Sequence, residues 1–360
     1  MSTHTAIAIT GIGKVEEIQL PTPTPGPGEV LIKIAYGALI PPDAYMVDLG
    51  FFIQEYPVVL GFSISGTIAQ VGEGIDDLKV GDRIIAYSYL DRKSKATQQY
   101  CVQPRTVVGK IPDSLPLEGA GSIPDNLVTA FYTVFNQLGL PSPSFSPTSP
   151  PAKADEPILV YGAGSSAAQY AIQLLHAAGY NKVVATASPH NHEAVKALGA
   201  NAVFDYRSPT LTQDIAKFVG GNGKIKLVVD AISNEVTLKI VSDIVDEEGV
   251  VALLLPIKKG NTLSADKKED LLLEVPTEGN PFAPSVKIIG VRTFFYQQDE
   301  YLKENLMPKI IPDLLEKNIV QPNRVRLLDQ GSLLERVEEG LDLFRENKVS
   351  GEKVVVKIDH

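Results

Sequence analysis

Gly162, Gly164 and Ala167 stand at the spacing G-x-G-x-x-A within "ILVYGAGSSAAQYAIQLLHAAGY", residues 158–180, where an apolar, β-prone run passes straight into a helix-like pattern. At that spacing the first glycine permits a tight turn and the second lets backbone N–H groups approach a pyrophosphate. The third small residue lets the helix pack closely on the strand. The chemistry is the holding of a dinucleotide, with Gly162, Ala163, Gly164, Ser165, Ser166 and Ala167 as the cradle. The motif alone is a weak signal; the strand before it, the amphipathic helix after it and further strand–helix units behind it supply the context it requires.

The next strand bears on which dinucleotide. A site for NAD places Asp or Glu on the ribose hydroxyls about 20 residues further on, whereas "VVATASPHNHE" has no acid before Glu193. Ser188, His190 and Asn191 supply hydrogen-bond donors at a helix start, and the following strand ends in Tyr206 and Arg207, a flat ring and a cation suited to a 2′-phosphate. The reading is NADP(H).

Elements of two kinds must position these residues. From Ala6 to about Gly121, short β-prone runs such as "VLIKIAYGAL", "GTIAQVG" and "DRIIAYSYL" are broken by Pro and Gly, which describes an antiparallel β domain. In "IPDNLVTAFYTVFNQLGL" apolar residues recur at helical spacing, and Gly139 and Pro141 stop the run. Residues 141–157, rich in Pro and Ser, read as a surface loop or linker. Strands then alternate with helices, the signature of βαβ units and a doubly wound parallel sheet. The last section, from "SVKIIGVRTFFY" to "GEKVVVKI", is assigned back to the first domain, because a final strand needs a sheet partner. The expected division is residues 1–125 with 290–360 as one domain and 126–289 as the other.

Composition narrows the partners. The chain has 360 residues with 43 acidic against 33 basic, a net charge of −10, and so no basic field for nucleic acid or an anionic membrane surface. Its single cysteine, Cys101, excludes an intrachain disulfide. The start "MSTHTAIAIT" lacks the profile of a signal peptide, and no apolar run reaches the roughly 18 residues needed to span a bilayer. The expected location is the cytoplasm.

Taken together, "PGPGEVLIKI", "GTIAQVGEGIDDLKVGDRI", "LVTAFYTV", the glycine turn, "LGANAVFDY" and "VSGEKVVV" resemble the medium-chain dehydrogenase/reductase superfamily. Within it the likeness is to the zinc-free quinone-oxidoreductase-like and trans-acting enoyl-reductase branch. The resemblance covers nearly the whole chain. It implies a GroES-like, β-rich catalytic domain built from both chain ends, embracing a Rossmann domain, with the nicotinamide in the cleft between them. Carried over by position, it puts Gly164 to Ala167 on the pyrophosphate and Ser188, His190, Asn191 and Tyr206 around the 2′-phosphate. Thr129 and the backbone near Leu254, Leu255, Val349 and Ser350 would hold the nicotinamide end. Many relatives carry Lys at the place of Asn191.

Zinc-dependent relatives use a Cys, then a Gly-His-Glu segment; here Ala38 and Leu39 stand at the first place and Gly61, Phe62 and Ser63 at the second, so no metal site is expected. "GALIPPDAYM" matches the family's Asn-Pro-x-Asp-x-Tyr/Lys pattern, with Ile40 in place of Asn, Pro42 at the cofactor and Tyr45 either catalytic or a packed wall. The implied activity is zinc-independent, NADPH-dependent reduction of an activated C=C bond in an enone or enoyl thioester. Quinone reduction is one alternative. Another is an NADPH-binding sensor or accessory protein, such as a trans-acting partner of a polyketide synthase that meets a carrier protein. A monomer or homodimer is expected.

Overall fold

The computed structural model describes residues 2–91, 94–141, 150–260 and 266–360, and the chain divides into two units, Met1–Val128 with Phe294–His360, and Thr129–Thr293. In chain order the first unit opens with β1 (Thr3–Gly11), β2 (Lys14–Pro21), β3 (Glu29–Ala38), helix α1 (Pro41–Leu49), β4 (Val58–Val59), β5 (Ser63–Val71), β6 (Arg83–Tyr87), β7 (Tyr100–Pro104) and β8 (Val108–Lys110). The helices α2 (Leu117–Ala120) and α3 (Pro124–Phe131) follow. The expected single helix over this stretch changes at Tyr132 into a wider π-turn that runs to Gln137.

The second unit holds β9 (Ile158–Tyr161), α4 (Ser166–Ala177), β10 (Val183–Ala187), α5 (His192–Ala197), β11 (Ala202–Asp205), α6 (Leu211–Val219), β12 (Ile225–Asp230), α7 (Glu235–Ile244), β13 (Val245–Leu254), β14 (Ile257–Lys258), β15 (Leu271–Leu272) and β16 (Lys287–Val291). The chain then re-enters the first unit through α8 (Glu300–Asn305), α9 (Ile311–Glu316), β17 (Val325–Leu328), α10 (Leu333–Arg345) and β18 (Lys353–Lys357).

In the second unit six strands pair in the order β11-β10-β9-β12-β13-β16, all parallel. That is the strand order 3-2-1-4-5-6 of a dinucleotide-binding fold, with its switch point at the C-terminal ends of β9 and β12. A central parallel strand is covered on both faces, which is why "ILVY" of β9 is apolar throughout and buried at every residue. Ser165 caps α4 by accepting a hydrogen bond from Ala168 N at 3.2 Å, and Asn234 starts α7 in the same way, accepting from Thr237 N at 2.9 Å. One sequence assignment is corrected here. The strand in "SVKIIGV" is β16, paired with β13 from Val250↔Lys287 to Leu254↔Val291, and so belongs to the parallel sheet and not to the first unit. Periodicity cannot show which sheet supplies a lone strand's partner. Of the expected loop over 141–157, residues 142–149 lie outside the described residues; beyond them Ala154 is buried and its carbonyl accepts from Asn181 N at 2.8 Å.

The first unit is a β structure with the strand order β17-β18-β3-β5-β6-β8, β7 lying on β3, beside a smaller sheet β2-β1-β4. The terminal strand β18 finds its partners in β3 and β17. Helix α10, begun by a reciprocal cap in which Ser332 and Glu335 each accept from the other's backbone N–H, buries Leu333, Val337 and Leu341 on the same core as Ile32, Leu39 and Ile64. Among the described residues no helix is long and apolar enough to cross a membrane.

Candidate functional site

The glycine turn is pinned from two sides. Gly162 follows β9 at φ +83°, and its N–H donates to Thr186 Oγ1 at 2.9 Å while Ala163 N donates to the Thr186 carbonyl at 2.7 Å. On the other side, a Cβ at Gly162 would stand 2.4 Å from Ile232 Cγ1, so this position needs glycine both for its conformation and for space. Gly164, Ser165 and Ser166 follow, half-buried, at the start of α4, and Ala167 is buried. Ser165 N donates to the Gly162 carbonyl at 2.9 Å, closing the turn. The start of a twelve-residue helix, at the switch point of a parallel sheet, points backbone N–H groups at an anion cradle of the kind a pyrophosphate occupies.

The expected adenosine residues emerge side by side, because β10 and β11 run parallel with Ala187 paired to Asp205. Ser188 is half-buried and begins a single turn Pro189–Asn191, in which His190 is exposed and Asn191 buried. Tyr206 is 41% exposed. The Arg207 guanidinium lies 5.4 Å from the Tyr206 ring centroid and pairs with Asp205 at 3.1 Å. Asp205 was not singled out from sequence, although its place at a strand end two residues before Arg207 was the available signal. Its carboxyl is held below the usual range by hydrogen bonds from Arg207.

At the other end of the same sheet edge, Leu254 closes β13 and Leu255 follows it. Beside them Asp230 ends β12, in register with Leu253. Its Oδ1 accepts from Ile232 N and Ser233 N at 2.9 and 3.0 Å, and its Oδ2 accepts from Thr237 Oγ1 at 2.5 Å. This buried carboxylate fixes the loop carrying Ile232, the side chain that faces Gly162. Burial pushes the Asp230 carboxyl up and brings the buried Lys258 down to about 8. Thr129 joins this unit too, its hydroxyl 2.9 Å from that of Thr293 and its carbonyl accepting from Thr133 Oγ1 at 2.7 Å.

Pro42, Tyr45, Val349 and Ser350 belong to the other unit. Pro42 is half-buried in the first turn of α1. Tyr45 is 5% exposed, with its ring edge-on to Phe51 at 6.4 Å, and burial pushes its phenol well above the usual range. Val349 packs against the core, and Ser350 is exposed, its carbonyl accepting from Arg324 Nη2 at 3.2 Å. Asp43, the Asp of the "GALIPPDAYM" pattern, to which the sequence assigned no role, is fully buried, and its carboxylate accepts from Ile40 N at 2.8 Å and Gly61 N at 2.9 Å and so ties α1 to the start of β5. Burial raises its carboxyl to about 6.

Residues 26–128 match the alcohol dehydrogenase GroES-like domain family, and residues 168–267 match the zinc-binding dehydrogenase family. The trans-enoyl reductase himH of Aspergillus japonicus is 34% identical over 335 residues, covering 92% of this chain and 90% of that protein. The chain belongs to the medium-chain dehydrogenase/reductase superfamily. The enoyl reductase component lovC of the lovastatin nonaketide synthase of Aspergillus terreus is 30% identical over 340 residues, covering 92% of this chain and 89% of its own. Among solved structures, the CurK enoyl reductase superposes with a TM-score of 0.77 at 18% identity, covering 99% of this chain and 100% of that one.

A medium-chain dehydrogenase/reductase works with a nicotinamide cofactor, and the glycine turn, the switch point and the helix start fit one. Zinc is a different matter. Ala38 pairs with Ser63, and Phe62 N donates to the Ala38 carbonyl at 3.2 Å, so the two stretches in which zinc-dependent members keep their ligands do meet in this chain. They bring together Ala38, Leu39, Phe62 and Ser63, of which only Ser63 is polar, and its hydroxyl is spent on Asp125 at 2.6 Å. Asp125 in turn receives Lys353 Nζ at 2.7 Å in a buried ion pair. Among the described residues no cluster of three or more His, Cys, Asp or Glu could hold a metal ion. These side chains do not fit zinc.

Proposed function

We propose that the chain is a zinc-independent, NADPH-dependent reductase of an activated C=C bond, acting on an enoyl thioester or a related enone. The observation that carries this reading is the pairing of an intact glycine cradle with a ligand-free Ala38–Leu39 and Phe62–Ser63 site. Such a chain can bind and orient a hydride donor but offers no Lewis acid from its own residues, a combination suited to conjugate addition rather than to alcohol oxidation. The names of its relatives, trans-enoyl reductases from fungi, support the same reaction class.

Bound reduced nicotinamide supplies the hydride. The chain's own residues do the rest: N–H groups at the start of α4 hold the pyrophosphate, and the loop after β12, fixed by Asp230, keeps Gly162 in place. Ser188, His190, Asn191, Tyr206 and Arg207 surround the 2′-phosphate. A guanidinium has five donors, so Arg207 can keep Asp205 and still face a phosphate. Tyr45 is the phenol offered to the carbonyl oxygen of the acceptor. A carrier protein of a separate polyketide synthase, in the cytoplasm, is the expected source of the thioester, and the chain meets it as a monomer or homodimer.

The test is NADPH oxidation against enones, free enoyl thioesters, carrier-bound enoyl thioesters and quinones. The reading expects enoyl thioesters to be reduced, with the carrier-bound form preferred. Reduction of quinones alone, or of nothing, overturns it.

A further inference from the structure

We infer that Asp205 is a specificity-determining residue for the cofactor, a carboxylate beside the ribose 2′ position whose charge Arg207 withholds from a 2′-phosphate. The inference rests on the NADPH reading above and lies wholly within the Thr129–Thr293 unit. The acid that is missing after β10 is present one strand over. β10 and β11 run parallel with Ala187 paired to Asp205, and paired strands lie about 4.8 Å apart. Asp205 therefore stands beside the residue that precedes Ser188. The His192 ring, whose Nε2 lies 3.1 Å from the Ala187 carbonyl oxygen, also faces the Asp205 carboxylate through space. Asp205 thus borders the Ser188–Asn191 turn from the edge strand of the sheet.

The Asp205 side chain has two tasks that can be taken apart. Its Oδ1 accepts from Arg207 N at 3.1 Å, and Ser208 N donates to its carbonyl at 3.0 Å, so side chain and backbone together fold the turn that presents Tyr206 and Arg207. That task needs an oxygen and not a charge. The charge is met by the Arg207 side chain, whose Nε donates to Oδ1 at 3.1 Å and whose Nη2 donates to Oδ2 at 3.4 Å. Among the described residues Nη1 donates to nothing, so donors are left for a ligand oxygen. The two side chains are 30% and 57% exposed, which keeps the pair within reach of solvent and makes its balance sensitive to salt.

A phosphate that reaches this turn meets a neutral ion pair with spare donors. With the guanidinium gone, it would meet a bare carboxylate, which repels a phosphate and accepts a hydrogen bond from a hydroxyl. Arg207 therefore decides which way Asp205 discriminates. With it, the turn admits a 2′-phosphate; without it, the same turn favours a free 2′-hydroxyl, the preference that a carboxylate gives to sites for NAD. Specificity here comes from a repulsive group held in check as well as from attractive ones.

The experiment titrates the full chain with 2′,5′-ADP and with 5′-AMP, the adenosine half of the cofactor with and without the 2′-phosphate, by calorimetry at low ionic strength. Wild type is compared with Arg207→Ala, Asp205→Asn and the double variant; Asp205→Asn keeps the acceptor oxygen that folds the turn and removes only the charge. Wild type should favour 2′,5′-ADP by at least about tenfold in Kd. Arg207→Ala should reverse the preference, so that 5′-AMP binds more tightly. Adding Asp205→Asn to Arg207→Ala should move the preference back toward 2′,5′-ADP by at least about fivefold, and Asp205→Asn alone should tighten 2′,5′-ADP. A preference that is the same within about twofold in Arg207→Ala and in the double variant overturns the assignment of Asp205. Equal affinities of wild type for the two ligands would instead overturn the NADPH reading, and the comparison of Arg207→Ala with the double variant still judges Asp205 by itself.

Discussion

Gly162→Ala tests the cradle directly. The added Cβ must adopt φ near +83°, which costs a non-glycine residue about 1–2 kcal/mol. It also meets Ile232 at 2.4 and 2.7 Å, an overpacking cost of roughly 1–3 kcal/mol. The turn cannot simply swing aside, because Gly162 N and Ala163 N are both bonded to Thr186. Together these give about 2–5 kcal/mol, which for a unit of this size is a fall in Tm on the order of 4–20 °C. Backbone displacement at the pyrophosphate should weaken NADPH more than tenfold as well. Differential scanning calorimetry and a fluorescence titration of NADPH read the two effects separately. Thr186→Val provides the control. It deprives a buried N–H of its acceptor without touching the glycine, at about 1–3 kcal/mol, and should act in the same direction by less. A Gly162→Ala protein with Tm within about 2 °C of wild type and unchanged NADPH affinity would refute the steric argument.

NADPH should bind more tightly than NADH by at least about 1.4 kcal/mol, tenfold in Kd, and Arg207→Ala should narrow the gap; equal affinities by calorimetry would remove Tyr206 and Arg207 from the phosphate. Tyr45→Phe, which keeps the packed ring, should lower kcat about tenfold, ~1.4 kcal/mol, with NADPH affinity nearly unchanged, and unaltered turnover would make Tyr45 a wall. For Lys258, the folded chain sheds its proton at about 8 while the unfolded chain keeps it to about 10.4. Within that window the unfolded state binds more protons, so stability contributed by this group rises with pH; urea melts of wild type and Lys258→Met should diverge in favour of wild type between those values. Chelators should leave folding and NADPH affinity unchanged, and elemental analysis finding one tightly held zinc per chain would contradict the ligand reading.

The parts of the molecule that were legible from sequence are those in which local period and function coincide. "ILVY" announces a doubly covered strand, the glycines after it announce the turn, and the strand–helix alternation that follows announces the parallel sheet. What was not legible depends on partners far away in the chain. Nothing around Asp43 signals that Gly61 N, 18 residues on, binds its carboxylate. "SVKIIGV" has the same apolar texture whichever sheet receives it. Asp230 and Lys258 likewise acquire meaning from the loop that brings them near each other, which has no local signature.

The Lys353–Asp125 pair joins residues 228 positions apart, with the whole of Thr129–Thr293 emerging from the ribosome between them. During synthesis the parallel sheet, whose strands follow one another in sequence, can close as soon as β16 appears. The GroES-like unit cannot. Until β18 arrives, β3 lacks one sheet neighbour and Asp125 sits without its cation, so the nascent unit exposes an apolar edge for the time taken to translate the intervening residues. The last strand to be made therefore completes the sheet of the first unit to be started.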